Sequence, residues 1–223
     1  MSLGENEQLS ETMRRELRFA ALHEAGHAVV GRMVNKPASF ITVWVDEHRR
    51  VRGLMMTHPP VSAADERRSA DPNEHLDFCT RIETLMNPSA SDWLRNELAF
   101  HLGGIAACLA VDQQKALRSS RGDLDSAGVL AQSCARGAEK PVHILLAQAL
   151  RFAAQVCDEQ RASILALANR LLVDQYRMEA EAIRDTLAET GFPAPGGPEP
   201  DPSDWEQWPS SFMAARTRIW WRG

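Results

Sequence analysis

Residues 18–33, "RFAALHEAGHAVVGRM", decide how the chain is interpreted, because they place two histidines four residues apart in a helical pattern. Ser10 suits an N-cap and Pro37 stands just beyond the other end, so the sequence predicts a helix from about Ser10 to Val34. Residues i and i+4 project from the same face of an α-helix, so His23 and His27 can offer imidazole nitrogens to one ion. The spacing predicts a zinc site on this helix.

Glu24 directly follows the first histidine and supplies the expected chemistry of the site. It lies about 100° further around the helix, where it is badly placed to be a ligand but can reach a water on the metal. Zinc lowers the pKa of its water towards about 7, and Glu24 is then predicted to remove the proton as the water attacks a polarised carbonyl. The small residues Ala25, Gly26 and Ala28 would let another backbone approach this helix.

The third protein ligand of such a zinc must lie elsewhere in the chain. Val30 and Met33 stand where a metzincin would have a glycine and a third histidine, so this helix does not supply the ligand. The segment "RGDLDSAGVLA" at 121–131 predicts a later helix with Asp123 and Asp125 in its first turn. Taken alone, both aspartates are explained by the favourable interaction of acidic residues with a helix N-terminus.

Four segments, in this order, resemble the protease domain of the FtsH-type zinc metallopeptidases: "HEAGHAVVG" (23–31), "ELAFHLGGIAACLA" (97–110), "RGDLDSAGVLA" (121–131) and "ILALANRLL" (164–172). The resemblance covers roughly residues 10–190, and its first motif is the specific one. It implies a zinc endopeptidase that hydrolyses unfolded or extended polypeptides. It also implies that an aspartate at the start of a later helix completes the zinc shell. The matching residue is Asp123, and Asp125 is the alternative.

The chain departs from that family in two respects. The family's proteases usually carry a membrane-anchored AAA ATPase module, whereas no lysine here follows a glycine, so the GK of a Walker motif is missing. We therefore expect hydrolysis to need no ATP in this chain, while a separate ATPase partner and a homo-oligomer both remain open. Cys108 and Leu109 stand where the family tends to have an acidic pair. We expect this difference to affect local packing or an oligomeric interface more than the zinc site.

The predicted fold class is mainly α (α+β), with a small β hairpin beside the active-site helix. The runs "FITVWV" (40–45) and "VRGLMMT" (51–57) bracket the polar "DEHRR" and predict two neighbouring strands. Helices are predicted from Asp71-Pro72 to about 87, from about 89, from about 121, and as two or three helices over 141–190, with a polar break at 112–121. The gap between β and helical patterns at 58–71 is expected to be a loop.

Two regions are predicted: a metallopeptidase domain at 1–190 and, at 191–223, a linker rich in proline and glycine with a tail that holds four of the six tryptophans. That tail is the basis of an alternative function, a catalytically silent zinc-containing binding or regulatory module. Glu24 argues against this alternative, because a structural zinc needs no general base and normally has four protein ligands.

Composition excludes other classes of partner. With 30 acidic against 25 basic residues and a net charge of −5, the chain has no electrostatic footprint for nucleic acid. The longest non-polar run, at 102–111, is far shorter than the ~20 residues of a membrane span. The four cysteines are widely separated, which favours reduced thiols and a cytoplasmic location.

Overall fold

The structure is a computed structural model that describes residues 9–57, 88–135 and 141–193, without the side chains of 88–93 and 133–135. Within these ranges the protein is mainly helical, with seven helices and one three-stranded antiparallel sheet, as predicted. The expected loop and helix over 58–87, and the tail from 194 on, lie outside the described residues. In chain order the elements are α1 (Glu11–Met33), β1 (Ala38–Val45), β2 (Val51–Thr57), α2 (Pro88–Leu109), α3 (Gln113–Ser119), α4 (Arg121–Ala135), α5 (Val142–Glu159), α6 (Arg161–Val173), β3 (Arg177–Glu179) and α7 (Ala180–Glu189).

Helix α1 is the centre of the molecule and begins as the sequence predicts. The Ser10 side chain accepts a hydrogen bond from the Met13 N–H at 3.2 Å, which satisfies one of the unpaired amides of the first turn. The helix packs against α2, α6 and both strands of the hairpin. At Gly26 a Cβ atom would lie 2.6 Å from the Gly103 carbonyl oxygen, so the two glycines let α1 and α2 approach closely.

The sheet has the strand order β2-β1-β3, with β1 in the middle. Strands β1 and β2 form the predicted hairpin, in which Val45 pairs with Val51. The sequence did not predict β3, which lies within the segment expected to be helical. There Gln175 and Tyr176 adopt positive φ angles of 54° and 67°, and these turn the chain after α6. Strand β3 then pairs with the edge of β1 that β2 does not occupy. Strand β2 is left as an edge of the sheet.

The expected polar break at 112–121 is partly helical. Asp112 caps α3 by accepting a hydrogen bond from the Lys115 N–H at 2.9 Å, and Ser120 ends that helix directly before α4 begins. This short connection brings the first turn of α4 over α1. Among the described residues, no helix has both the length and the apolar character that a membrane crossing needs.

Candidate metal centre

Three side-chain atoms of His23, His27 and Asp123 converge between α1 and α4. The Nε2 atoms of the two histidines lie 3.2 Å apart, and Oδ2 of Asp123 lies 2.9 Å from Nε2 of His23 and 3.5 Å from Nε2 of His27. A tetrahedral zinc with ligand distances of about 2.0–2.1 Å requires its ligand atoms to be about 3.3–3.4 Å apart. The three atoms therefore already have the spacing of a zinc shell.

The hydrogen bonds around the ligands leave the correct atoms available to a cation. Nδ1 of His27 lies 2.9 Å from the carbonyl oxygen of Phe100, which can only accept, so Nδ1 carries a proton and donates it. In the neutral ring, Nε2 is then a lone-pair acceptor that faces the acceptor oxygen of Asp123. Two acceptors in this position repel each other unless a proton or a cation lies between them, and the donor set therefore fits a metal ion.

The pKa shifts of His27 and Asp123 also favour a positive charge between the ligand atoms. Burial disfavours the charged form of His27, but the hydrogen bond and the charge of Asp123 outweigh burial and raise its pKa above the usual value. Burial would raise the pKa of Asp123, yet its hydrogen bonds to the two histidines hold that pKa well below its usual range. Without a metal, a proton thus supplies the positive charge that the cluster attracts.

The absence of a side chain at Gly104 lets α2 approach the ligand nitrogens of α1 closely. A Cβ atom at this position would lie 2.5 Å from Nε2 of His23 and 2.6 Å from Nε2 of His27. Any side chain there would occupy the place where the imidazole nitrogens converge. The one local sequence signal of this contact is the Gly103-Gly104 pair within a helix.

The structure brings Asp123, and not Asp125, to the histidines. Asp123 lies in the first turn of α4 with 27% of its side chain exposed, whereas the Asp125 side chain is 72% exposed and lies 3.8 Å from Arg121 in an i,i+4 ion pair. The two aspartates are two residues apart on a helix, so they point in directions about 200° apart. Asp125 therefore faces solvent.

Ser120 is a further residue that sequence reasoning missed. It is buried, and its hydroxyl lies 3.4 Å from Nδ1 of His23. Each histidine thus has a partner on its Nδ1 atom, the hydroxyl of Ser120 for His23 and the carbonyl of Phe100 for His27. Partners at this position orient the imidazole and direct Nε2 towards the metal.

Glu24 is buried beside the three ligands. It is 6% exposed and lies against β2, where a Cβ atom on Gly53 would overlap its carboxyl group. Within the described ranges its carboxylate makes no hydrogen bond or ion pair. Burial raises the pKa of Glu24, and the nearby histidines offset only part of that increase. A carboxylate with a raised pKa is a better proton acceptor.

A cavity of about 440 Å³ opens onto Glu24 and the three ligands. Its walls come from α1, α2, β2 and the start of α4, and His101 of α2 is among the residues that line it. His48 lies in the hairpin turn beside Glu47, and His143 is exposed on α5, so neither contributes to the cavity. His58 and His75 lie outside the described residues.

Comparison with known proteins does not assign the chain to a family. No protein-family model matches it, and no curated protein matches it. The resemblance to the FtsH-type metallopeptidases thus depends on the four sequence segments, and the functional argument depends on the geometry of the site.

Proposed function

We propose that the protein is a zinc-dependent endopeptidase of FtsH type, with His23, His27 and Asp123 as the metal ligands and Glu24 as the general base. The observation that carries the proposal is the triangle of ligand atoms beside the buried carboxylate of Glu24, which makes no hydrogen bond or ion pair with the described residues. A metal that only stabilised the fold would not require a general base such as that carboxylate.

The number of ligands favours a catalytic over a structural metal. The ligand atoms of His23, His27 and Asp123 all lie within 4.8 Å of one another, and no other His, Cys, Asp or Glu of the described ranges joins them. Structural zinc sites usually have four protein ligands, whereas catalytic sites have three and leave one position for water or substrate. The silent-module alternative lacks this support.

The mechanism assigns a separate task to each residue. A bound zinc would acidify a water molecule and polarise the carbonyl of a peptide bond. Glu24 takes the proton from that water while the water oxygen bonds to the carbonyl carbon and the carbonyl electron pair moves onto its oxygen. Glu24 then returns the proton to the nitrogen as the C–N bond breaks. The carbonyl of Phe100 orients the ring of His27, and the hydroxyl of Ser120 orients the ring of His23.

The edge of the sheet provides a way to hold the substrate. Strand β2 has only one neighbour in the described sheet, and Gly53, Leu54 and Met55 line the cavity. An extended peptide can add to such an edge through main-chain hydrogen bonds, which would place one of its carbonyls over the ligands. Folded proteins rarely offer an extended segment, so we expect unstructured polypeptides to be the substrates.

Substitution of Glu24 by glutamine tests this proposal. The protein loaded with zinc should degrade casein, and a chelator should stop the reaction. Glu24→Gln should bind zinc as the wild type does but lose activity by at least about 100-fold, because the amide cannot accept the proton. Glu47→Gln is the matched control, since Glu47 is 86% exposed in the hairpin turn.

Two results would contradict the proposal. A Glu24→Gln variant as active as the wild type would exclude Glu24 as the base. A zinc-loaded wild-type protein without activity on casein and on unstructured peptides would favour the silent-module alternative instead. ATP should not change the rate of casein degradation. A tightly folded control protein should resist degradation both with and without ATP.

A further inference from the structure

His101 is a second kind of imidazole in the cavity, one that the metal ligands do not include. It lies on α2 three residues before Gly104, and residues i and i+3 of a helix are neighbours on one face. Gly104 directly faces the two Nε2 atoms, so His101 stands on the same wall of the cavity, about one helical turn away. It lines the same cavity as the ligands without belonging to the group of converging ligand atoms.

The ring of His101 makes no hydrogen bond or ion pair in the part of the chain that the structure describes. Its contact there is an edge-on packing against Phe100, with the ring centroids 5.4 Å apart. Burial lowers the pKa of His101, so the ring is neutral near pH 7 and carries one N–H donor. A half-buried donor that faces a cavity and has no partner is available to a bound molecule.

Glu24 and His101 belong to different walls of one cavity. Glu24 rests against Gly53 of β2, whereas His101 belongs to α2, which packs on the other flank of α1 through Gly26 and Gly103. The three ligands line the same cavity. A base and a separate donor in one cavity suit the addition of water to a carbonyl, because the water loses a proton while the carbonyl oxygen gains negative charge.

We propose that His101 donates a hydrogen bond to the carbonyl oxygen of the peptide bond that is cleaved, an inference that rests on the proposed peptidase function. As the water oxygen bonds to the carbonyl carbon, the π electron pair moves onto the carbonyl oxygen, and the N–H of His101 stabilises that charge. When the C–N bond breaks, the electron pair returns to the carbonyl and Glu24 delivers the proton to the amine. His101 neither gains nor loses a proton in this scheme.

The consequence is a defined loss on removal of the ring. His101→Ala should bind zinc with unchanged stoichiometry and affinity, and its KM for an unstructured peptide should change little. Its kcat should fall by about 100-fold, as found on removal of one oxyanion donor from other hydrolases. His101→Gln, which keeps an N–H donor, should recover part of that loss. His143→Ala is the matched control, because His143 is an exposed histidine on α5.

A second measurement separates this role from a merely structural one. A peptide phosphonate carries tetrahedral oxygens that imitate the adduct, whereas the cleaved product peptide does not. His101→Ala should weaken binding of the phosphonate by about as much as it lowers kcat/KM, and binding of the product peptide should stay the same. A structural defect would weaken both or would reduce the zinc content.

The possible failures are distinguishable. If the wild type is active, Glu24→Gln is inactive and His101→Ala keeps full activity with unchanged phosphonate binding, this inference is wrong and the peptidase proposal stands. If His101→Ala loses zinc, His101 supports the metal and does not act on the carbonyl, which also overturns the inference. If the zinc-loaded wild type cleaves no peptide, the proposed function fails and this inference fails with it.

Discussion

Gly104 of α2 faces Nε2 of His27 so closely that a Cβ atom built on the glycine would lie 2.6 Å from that nitrogen. The same Cβ atom would lie 2.5 Å from Nε2 of His23. Two helices that are far apart in sequence thus approach so closely that no Cβ atom fits beside the two ligand nitrogens. This close approach depends on the absence of one side chain, so any atom added here would lie beside the proposed metal site.

Substitution of Gly104 by alanine should therefore reduce zinc binding without unfolding the protein. The added methyl group meets the ends of two imidazole rings, which can swing aside, and alanine is the better helix former. We expect zinc affinity to fall by about 10- to 100-fold, as measured by competition with a chromophoric chelator, with no loss of thermal stability in the metal-free protein. Gly128→Ala is the control, because a Cβ atom there would meet nothing within 4 Å. Equal zinc affinity in both variants would contradict the site.

Asp123 and Asp125 should differ sharply in their effect on the metal. Asp123→Ala removes an oxygen that lies 2.9 Å from Nε2 of His23, whereas Asp125→Ala removes a side chain that is 72% exposed. Zinc affinity should fall by at least about 10-fold in the first variant and remain within about twofold in the second. Titration of both metal-free proteins with zinc checks this, and similar losses would refute Asp123 as the third ligand.

Gly53→Ala should separate zinc binding from hydrolysis. A Cβ atom at residue 53 would overlap the carboxyl group of Glu24, which can move because it is the end of a flexible side chain. The three ligands are not touched, so the zinc content should stay at the wild-type level. Peptidase activity should fall by about 100-fold, as expected for a base displaced by about 1 Å. Wild-type activity in Gly53→Ala would show that the position of Glu24 does not matter.

The local features of this protein could be predicted from the sequence. The cap at Ser10, the helical spacing of His23 and His27 and the hairpin depend on residues that are close along the chain, and all three are present in the structure. Strand β3 escaped prediction because three residues have no readable period, and its pairing with β1 depends on a turn at Gln175 and Tyr176.

The rest of the candidate site depends on contacts between distant segments. Residue type alone could not choose between Asp123 and Asp125, since both lie in the first turn of one helix; the direction of each side chain relative to α1 distinguishes them. Ser120 carries no motif, and the carbonyl of Phe100 has no sequence signal. The role of Gly53 as the wall behind Glu24 likewise requires the position of β2 against α1.

Zinc affinity should rise with pH through the range in which His27 loses its proton. In the metal-free protein Asp123 raises the pKa of His27 against the opposing effect of burial, so below that raised pKa a proton must be displaced before the nitrogen can bind metal. Affinity measured by chelator competition at about pH 6, 7 and 8 should therefore increase, with release of protons on binding. An affinity that stayed constant across this range would contradict a histidine-based site.

Measurement of the metal content of the purified protein tests the central claim most directly. The account predicts one zinc per chain in the wild type and in Glu24→Gln, and almost none in His23→Ala or His27→Ala under the same conditions, with all four proteins folded by circular dichroism. His48→Ala, an exposed histidine in the hairpin turn, should keep its zinc. Full retention of zinc in both His23→Ala and His27→Ala, or a folded wild-type protein that binds no zinc when it is supplied, would contradict the account.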